Sequence, residues 1–354
     1  MIGVGVIGAC VGYYLIRAGA EVLLVDAGGP GALTTSATFA WVNASSRVGH
    51  PEYFDLGAAG LAEYQHLSAE LGGGPWWHPT GHLRWDYADD RELVEVVEQV
   101  RAHGYPVELW DAARVARELE PDVDFGAPSR AVALFPSEGW VDGPRMVRAL
   151  LDAAIEGGAT AAFGSAVRAI AVSGNAVASI ELDNGDRHQV ARVVNAAGPG
   201  AARVAALVGR RLPMETRPGL AIRLGVGRNS VRRVLHAPGV AVRPDGEGRV
   251  FVLVRDAETA QAQDRIVAEA LRSATEVVPA LGGATVDDVR VGYRPIPADG
   301  FPVLGRASEI DGYYEAVTHS GITLGPIVGR ALAEELLHDR IHPLTATFRA
   351  NRLW

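Results

Sequence analysis

Short apolar runs alternate with glycine-rich turns along this chain, and the period of each run separates helices from strands. Residues 11–18 are apolar with helical character and stop at Gly19, after which residues 21–25 read as a buried parallel strand. With the glycine turn that precedes them they make half of a βαβ unit. Residues 28–50 are rich in Gly, Thr, Ser and Ala and predict a long ordered loop feeding a helix over 51–71. A strand over 81–85 follows, then helices over 91–102, 112–119 and 144–156, the last opened by Asp142. Strands at 167–170, 176–182 and 189–194, joined by turns at 173–175 and 183–186, predict a three-stranded meander. Residues 192–195 end in a glycine turn, which is how a chain returns to a first domain. Antiparallel strands span 214–254, with turns at 238–239 and 244–246, and a helix lies near 259–277. Strands at 286–293 and 313–317 precede a long helix over 322–337, launched from Thr318, His319, Ser320 and Gly321.

A half-unit, an interruption and a return imply two interleaved domains within 354 residues. The expected division gives 1–50, 140–215 and 288–354 to a discontinuous nucleotide-binding domain, and 51–139 and 216–287 to a substrate-binding domain. The hydrophobic fraction of 48% and charged fraction of 21% are those of a folded globular chain. A net charge of −9 offers no basic face, so no nucleic-acid partner is expected. All 33 basic residues are arginine, which removes Schiff-base and pyridoxal chemistry. The single cysteine, Cys10, excludes an internal disulfide and a cysteine-rich zinc site, and the ten histidines show no H-x-x-H or H-E-x-x-H spacing, so no metal is expected. No transmembrane run is present and the first residues lack a signal-peptide pattern, so the expected location is cytoplasmic.

The chemistry begins at Gly3, Gly5 and Gly8, a complete G-x-G-x-x-G at the mouth of a helix, with Asp26 at the end of the next strand. Gly3 permits the tight turn, Gly5 lets backbone approach a pyrophosphate, and Gly8 lets helix and strand pack closely. The phosphates then sit on a helix N-terminus, where unpaired N–H groups favour negative charge. Asp26 suits ribose hydroxyls and repels a 2′-phosphate, which selects FAD or NAD over NADP. Only Met1 and Ile2 precede Gly3, so the central strand is expected to be clipped, to the cost of cofactor retention. Thr34, Thr35, Ser36, Thr38, Phe39 and Ala40, followed by Trp41 and Asn43, offer hydroxyls for phosphates and small residues beside a flat ring. That segment points to flavin.

Further motifs follow in a specific order: Val141, Asp142 and Pro144; Gly164 to Val167; the stretch 193–199; Gly292, Arg294 and Pro295; Asp299, Gly300, Pro302 and Gly305; and His319 to Thr323. With the glycine turn, they make the chain resemble, nearly end to end, the FAD-dependent amine oxidoreductases of the D-amino-acid oxidase superfamily, which includes glycine oxidase, sarcosine oxidase and D-amino-acid dehydrogenases. The resemblance implies a mixed α/β fold: a Rossmann-like FAD domain of the glutathione-reductase type interleaved with an antiparallel-sheet substrate domain. It also implies that Val167 meets adenine, that Ala197 and Gly198 lie beside the adenosine and pyrophosphate, and that Ser320, Gly321, Ile322 and Thr323 face the flavin edge. A helix N-terminus there stabilises the negative charge of reduced flavin near N1 and O2.

In this setting Arg294 is the candidate for the substrate carboxylate, because its guanidinium is a fixed bidentate fork; a structural ion pair or a flavin-only contact is the other reading. His319 stands where some relatives place a second substrate contact. Trp76, Trp77, His78, His82 and Trp85 make either an aromatic wall over the ring or, more ordinarily, core filling. Relatives with covalent flavin use a cysteine near the last strand or a histidine in the early threonine-rich loop; residues 313–319 contain no cysteine and residues 28–43 no histidine, so FAD is expected to be non-covalent. The implied reaction is oxidation of the C–N bond of a small amine acid by hydride transfer to flavin N5, with no protein base at carbon. The alternatives are an FAD dehydrogenase passing electrons to a quinone or carrier, a non-catalytic flavin-binding subunit, and an NAD-dependent dehydrogenase.

Overall fold

The computed structural model describes residues 1–127, 130–255 and 263–353. One sheet is built around the opening turn. Its parallel strands run in the order Thr160–Phe163, Leu23–Asp26, the single residue Ile2, Val193–Asn195 and Tyr313–Val317, and Val303–Arg306 adds an antiparallel edge. The central position of this sheet is therefore held by one bridging residue, Ile2. Ile2 N–H donates to the Val194 carbonyl at 2.9 Å and its own carbonyl accepts from Ala196 at 2.8 Å, while Gly3 N–H donates to Val25 at 2.8 Å.

Nine of the twelve residues of the opening helix, Val6–Arg17, are buried. Burial almost all round means that it is covered on several sides, and its main partner is the closing helix, Gly321–His338. The two approach closely because the closing helix presents a stripe of glycines. A Cβ on Gly325 would meet the Cys10 sulfur at 3.1 Å, and one on Gly329 would meet Cys10 carbon atoms at 2.9 Å. A third helix, Pro51–Glu70, crosses the closing helix at Gly60, where a Cβ would stand 2.3 Å from the Thr323 carbonyl oxygen.

The second layer is an eight-stranded sheet in the order Thr285–Pro297, Met214–Gly225, Arg249–Arg255, Val240–Pro244, Val234–Ala237, His82–Arg84, Ala131–Phe135 and Glu108–Asp111. All its pairings are antiparallel except that of Val234–Ala237 with His82–Arg84. Strand Thr285–Pro297 belongs to this sheet along its length, so the expected division at 288 falls inside a strand. The helix Gln263–Val277 covers the sheet's far face with Ala270 and Ala274 in its core; the expected start at 259 lies outside the described residues. The meander forms from Val167–Ser173, Ala176–Leu182 and Arg187–Gln189, and its third strand ends earlier than expected, because Val193–Asn195 leaves for the nucleotide sheet. Among the described residues no helix is long and apolar enough to cross a membrane.

Candidate active site

Two helix N-termini converge on one slot. The opening helix brings Gly5, Val6 and Ile7, and the closing helix brings Gly321 and Ile322. Both ends carry partial positive charge on unpaired N–H groups, so the slot is suited to an anionic ligand along its length. The backbone of the turn is shaped for close approach. Gly3 has φ +92°, where a side chain would be strained, and a Cβ on Gly8 would stand 1.9 Å from the Gly3 carbonyl oxygen. A Cβ on Gly5 would meet only Thr35 Oγ1, at 3.3 Å, so this glycine leaves space open to the slot. Asp26 holds the turn from below: one carboxylate oxygen accepts from Val4 N–H at 2.7 Å and the other from Gly28 N–H at 2.9 Å.

Asp26, Thr34, Thr35, Thr38, Ala197 and Gly198 line the same slot, whose cavity is about 120 Å³. Thr35 Oγ1 accepts from Val6 N–H at 3.2 Å, and Thr34 Oγ1 donates to the Tyr293 carbonyl at 2.8 Å, which ties the loop to the large sheet. Gly8 does not line the slot, in keeping with a packing role. Neither do Ser36, whose hydroxyl donates to the carbonyls of Ala32 and Leu33, and Val167, which packs with Ile2 and Val25 beneath the strand ends.

Beyond the slot a second cavity, of about 430 Å³, opens between the two layers. The two share Thr34, Thr38, His319 and Ile322 in their linings, so they adjoin, and the second contains Phe39, Ala40, Arg294, Ser320 and Thr323. Arg294 and the start of the closing helix, far apart in sequence, thus face one space. Arg294 Nη2 donates to the Pro218 carbonyl at 2.9 Å and Nε lies 3.4 Å from that of Arg217, which sets the guanidinium against the neighbouring strand. Ala40 is held at φ +54°, an uncommon conformation for a side-chain-bearing residue, at the point where the loop turns into the cavity.

The start of the closing helix is anchored by groups remote in sequence. Tyr53 O–H donates to Ser320 Oγ at 2.7 Å, Tyr64 O–H donates to the Ile322 carbonyl at 2.5 Å, and Thr323 Oγ1 accepts from Asn43 N–H at 3.2 Å. Three cavity residues escaped sequence reasoning. Arg47 is buried, donates to the Asn43 carbonyl and side chain, and lies over the Tyr53 ring at 5.0 Å. His236 comes from the middle of a buried strand, and Tyr53 from the helix after the loop. The available signals were an arginine in an otherwise small, polar loop and a histidine inside an apolar run. Among the described residues lining this cavity are two arginines and two histidines and no Asp or Glu, although the whole chain carries −9. The field inside it therefore favours anions.

The aromatic wall does not form. Trp76 packs with Tyr64 in the helical core, Trp85 packs with Phe125 under the large sheet, and His78 stacks on Trp140 at 3.8 Å. His82 lies one hydrogen bond behind His236. Cys10 is buried between the two long helices, and burial pushes its thiol up, away from nucleophilic use.

Comparison with known proteins agrees with this geometry. A family model described as FAD dependent oxidoreductase matches residues 1–335. A glycine oxidase of Bacillus licheniformis is 25% identical over 368 residues, covering 96% of this chain and 93% of that protein. A hydrogen cyanide synthase subunit, HcnC, of Pseudomonas aeruginosa is 25% identical over 315 residues, covering 85% and 75%. The crystal structure of glycine oxidase from Geobacillus kaustophilus shares the fold with a TM-score of 0.88 at 24% identity, over 99% of this chain and 97% of that one.

Proposed function

Because the chain belongs to the family of FAD-dependent oxidoreductases, we propose that it oxidises the C–N bond of a small amine acid: a D-amino acid, glycine or an N-methyl amino acid. FAD is the cofactor of this family, and the glycine turn fits it: only backbone without Cβ passes between Gly3 and Gly8, and Gly5 leaves room at the helix end. When bound, the flavin supplies a hydride acceptor at N5. The chain's own residues do the rest. The opening helix and Gly5 seat the pyrophosphate, Asp26 takes the ribose, and the N–H groups at Gly321, Ile322 and Thr323 face the ring edge where negative charge collects. Ala197 and Gly198 enclose the adenosine end. Cys10 is buried between the two long helices and residues 28–43 hold no histidine for a covalent link, so the cofactor is held by these contacts alone.

The single observation that carries the substrate class is the cavity beside the ring position, whose described lining includes Arg47, Arg294, His236 and His319 and, among the described residues, no carboxylate. A guanidinium there holds a substrate carboxylate by two parallel hydrogen bonds and leaves the α-carbon at a defined height above the ring. Arg47 offers a second cation, and His319, which lines both cavities, stands at the junction of cofactor and substrate. An amine without an acid group would forgo the pairing with these guanidinium groups.

The test is anaerobic bleaching of the FAD-loaded protein. Glycine, sarcosine, D-alanine and D-proline are compared with amines of the same size that lack the carboxylate. Bleaching by acid-bearing amines alone supports the proposal, and equal bleaching by both classes defeats it.

A further inference from the structure

Beneath the loop that carries Arg47, the side chains of His82, Glu138 and Tyr105 form a buried line. Glu138 stands in the turn between the strands Ala131–Phe135 and Gly139–Val141 and is fully buried. Its Oε2 is 2.9 Å from His82 Nδ1 and accepts from Trp41 Nε1 at 3.0 Å. Its Oε1 accepts from the backbone N–H groups of Ala44 and Ser45, at 3.2 and 3.0 Å, and from Tyr105 O–H at 3.1 Å. Three of these contacts reach one short stretch, Trp41 to Ser45.

That stretch leads into the substrate cavity. Ser45–Arg47 is a single 3₁₀ turn, closed by Arg47 N–H on the Ala44 carbonyl at 2.9 Å, and Ala44 offers no side-chain acceptor to cap it. The Glu138 carboxylate supplies that cap from a remote part of the chain. Arg47 is buried, donates through Nη1 to the Asn43 carbonyl at 2.5 Å and to Asn43 Oδ1 at 3.2 Å, and lines the cavity together with Asn43. The start of the loop is held separately, since Arg243 Nε donates to the Phe39 carbonyl at 2.5 Å.

A glutamate is what this position demands. Indole and backbone N–H groups can only donate, and here they reach both oxygens, so a carboxylate satisfies them where an amide, with one oxygen, does not. Burial opposes ionisation, but the contacts with His82 and Ser45 outweigh it and hold the carboxyl below its usual range.

We propose that Glu138 is a positioning residue of the substrate site: by capping the turn Ser45–Arg47 from behind, its carboxylate fixes the Arg47 guanidinium where a substrate acid meets it. This rests on the amine-acid reading above, with Arg47 as its second cation. Without the carboxylate the turn loses its cap and Arg47 loses its fixed direction. Phe39 stays held by Arg243, and Asn43 N–H by Thr323 Oγ1. The loss should therefore fall on acid binding and not on FAD.

A double-mutant cycle on the FAD-loaded protein tests this, read by the flavin spectrum during titration with glycolate. Glu138→Gln should keep its FAD and bind glycolate about tenfold more weakly, as Arg47→Met should. The double variant should lie within about twofold of Arg47→Met alone, because a positioning residue then has nothing left to position. In turnover of acid-bearing amines, Glu138→Gln should raise KM with kcat little changed, a split that general loosening of the fold would not produce. If Glu138→Gln holds no FAD, Glu138→Asp, with the same charge one methylene short of the turn, takes its place in the cycle. Wild-type glycolate affinity in the Glu138 variant overturns the proposal. So do losses that multiply to about 100-fold in the double variant, and so does an Arg47→Met variant that binds glycolate as the wild type does. Each of those results leaves the amine-acid reading standing. A wild-type flavin blind to glycolate and bleached by no amine acid overturns both.

Discussion

The two adjoining cavities form the two ends of the candidate site, and they are built by different means. At the nucleotide end, Gly3, Gly5, Gly8 and Asp26 lie within one short stretch, and their constraints are backbone constraints: a positive φ at Gly3 and no room for a Cβ at Gly8. At the substrate end, Arg47, His236, Arg294 and His319 come from a loop, two strands of the large sheet and a helix entrance. Their constraints are side-chain contacts across layers. A site made of local backbone is written as a motif, whereas a site made by tertiary packing leaves only isolated residues whose meaning depends on the fold.

Substitutions at the two ends should therefore fail differently. The largest effect is expected at Gly8. Gly8→Val places atoms within the Gly3 carbonyl, and should yield protein that holds no FAD and melts well below the wild type, read by the flavin-to-protein absorbance ratio and a thermal scan. Gly5→Ala sharpens the point, because its Cβ meets only a threonine hydroxyl at 3.3 Å. It should fold normally yet bind FAD at least about tenfold more weakly, a cost of about 1.4 kcal/mol. Unchanged FAD affinity in Gly5→Ala would move the pyrophosphate seat elsewhere.

At the other end Arg294→Leu should keep its flavin and lose about 3 kcal/mol of transition-state binding for acid-bearing amines, on the order of 10²-fold in kcat/KM. Arg47→Met should cost about tenfold, mainly in KM, if it is the second cation met by the substrate acid. Both are measured by steady-state turnover against amines with and without a carboxylate. A uniform loss across both classes would reassign these arginines to the fold.

A smaller effect is expected where the ends meet. Thr323→Val removes the acceptor of Asn43 N–H, leaving a buried donor unsatisfied at a cost of about 1–3 kcal/mol. Chemical denaturation should register that loss, and FAD retention should fall less than in the glycine variants. Smallest is the acid response of the buried line. His82 is pushed below its usual value and Glu138 below the usual carboxylate range. In both cases the unfolded chain binds the proton more readily, so their contribution is complete above the unfolded values. It is lost as pH falls, first below about 6.5 for His82 and then below about 4.3 for Glu138. A melting temperature flat from neutral pH to below pH 5 would contradict this.

Much of the architecture was legible in the sequence. The glycine turn, the helix over Pro51–Glu70, the hairpins of the meander and the strand Tyr313–Val317 all follow from period and turn chemistry. The short strands Glu108–Asp111, Ala131–Phe135 and Thr160–Phe163 did not stand out, because runs of four or five residues carry too few alternations to declare a face. The tryptophans misled for a related reason. Trp76 and Trp85 are near in sequence but are sent into different cores, one beneath the helices and one beneath the large sheet. Arg294 and His319 were legible as candidates because a local motif surrounds each. His236 lies in a strand whose residues are all buried, and its place in the cavity lining emerges only when the fold brings that strand near Arg294.

The central claim is that the glycine turn and the distant Arg294 serve the two ends of one bound FAD. A titration of the FAD-loaded protein with glycolate, a carboxylate without an amine, followed by the visible flavin spectrum, tests it most directly. The account predicts a saturable perturbation of the flavin bands in the wild type and its loss, with FAD still bound, in Arg294→Leu. An equal perturbation in Arg294→Leu, or a wild-type flavin blind to carboxylates, would contradict it.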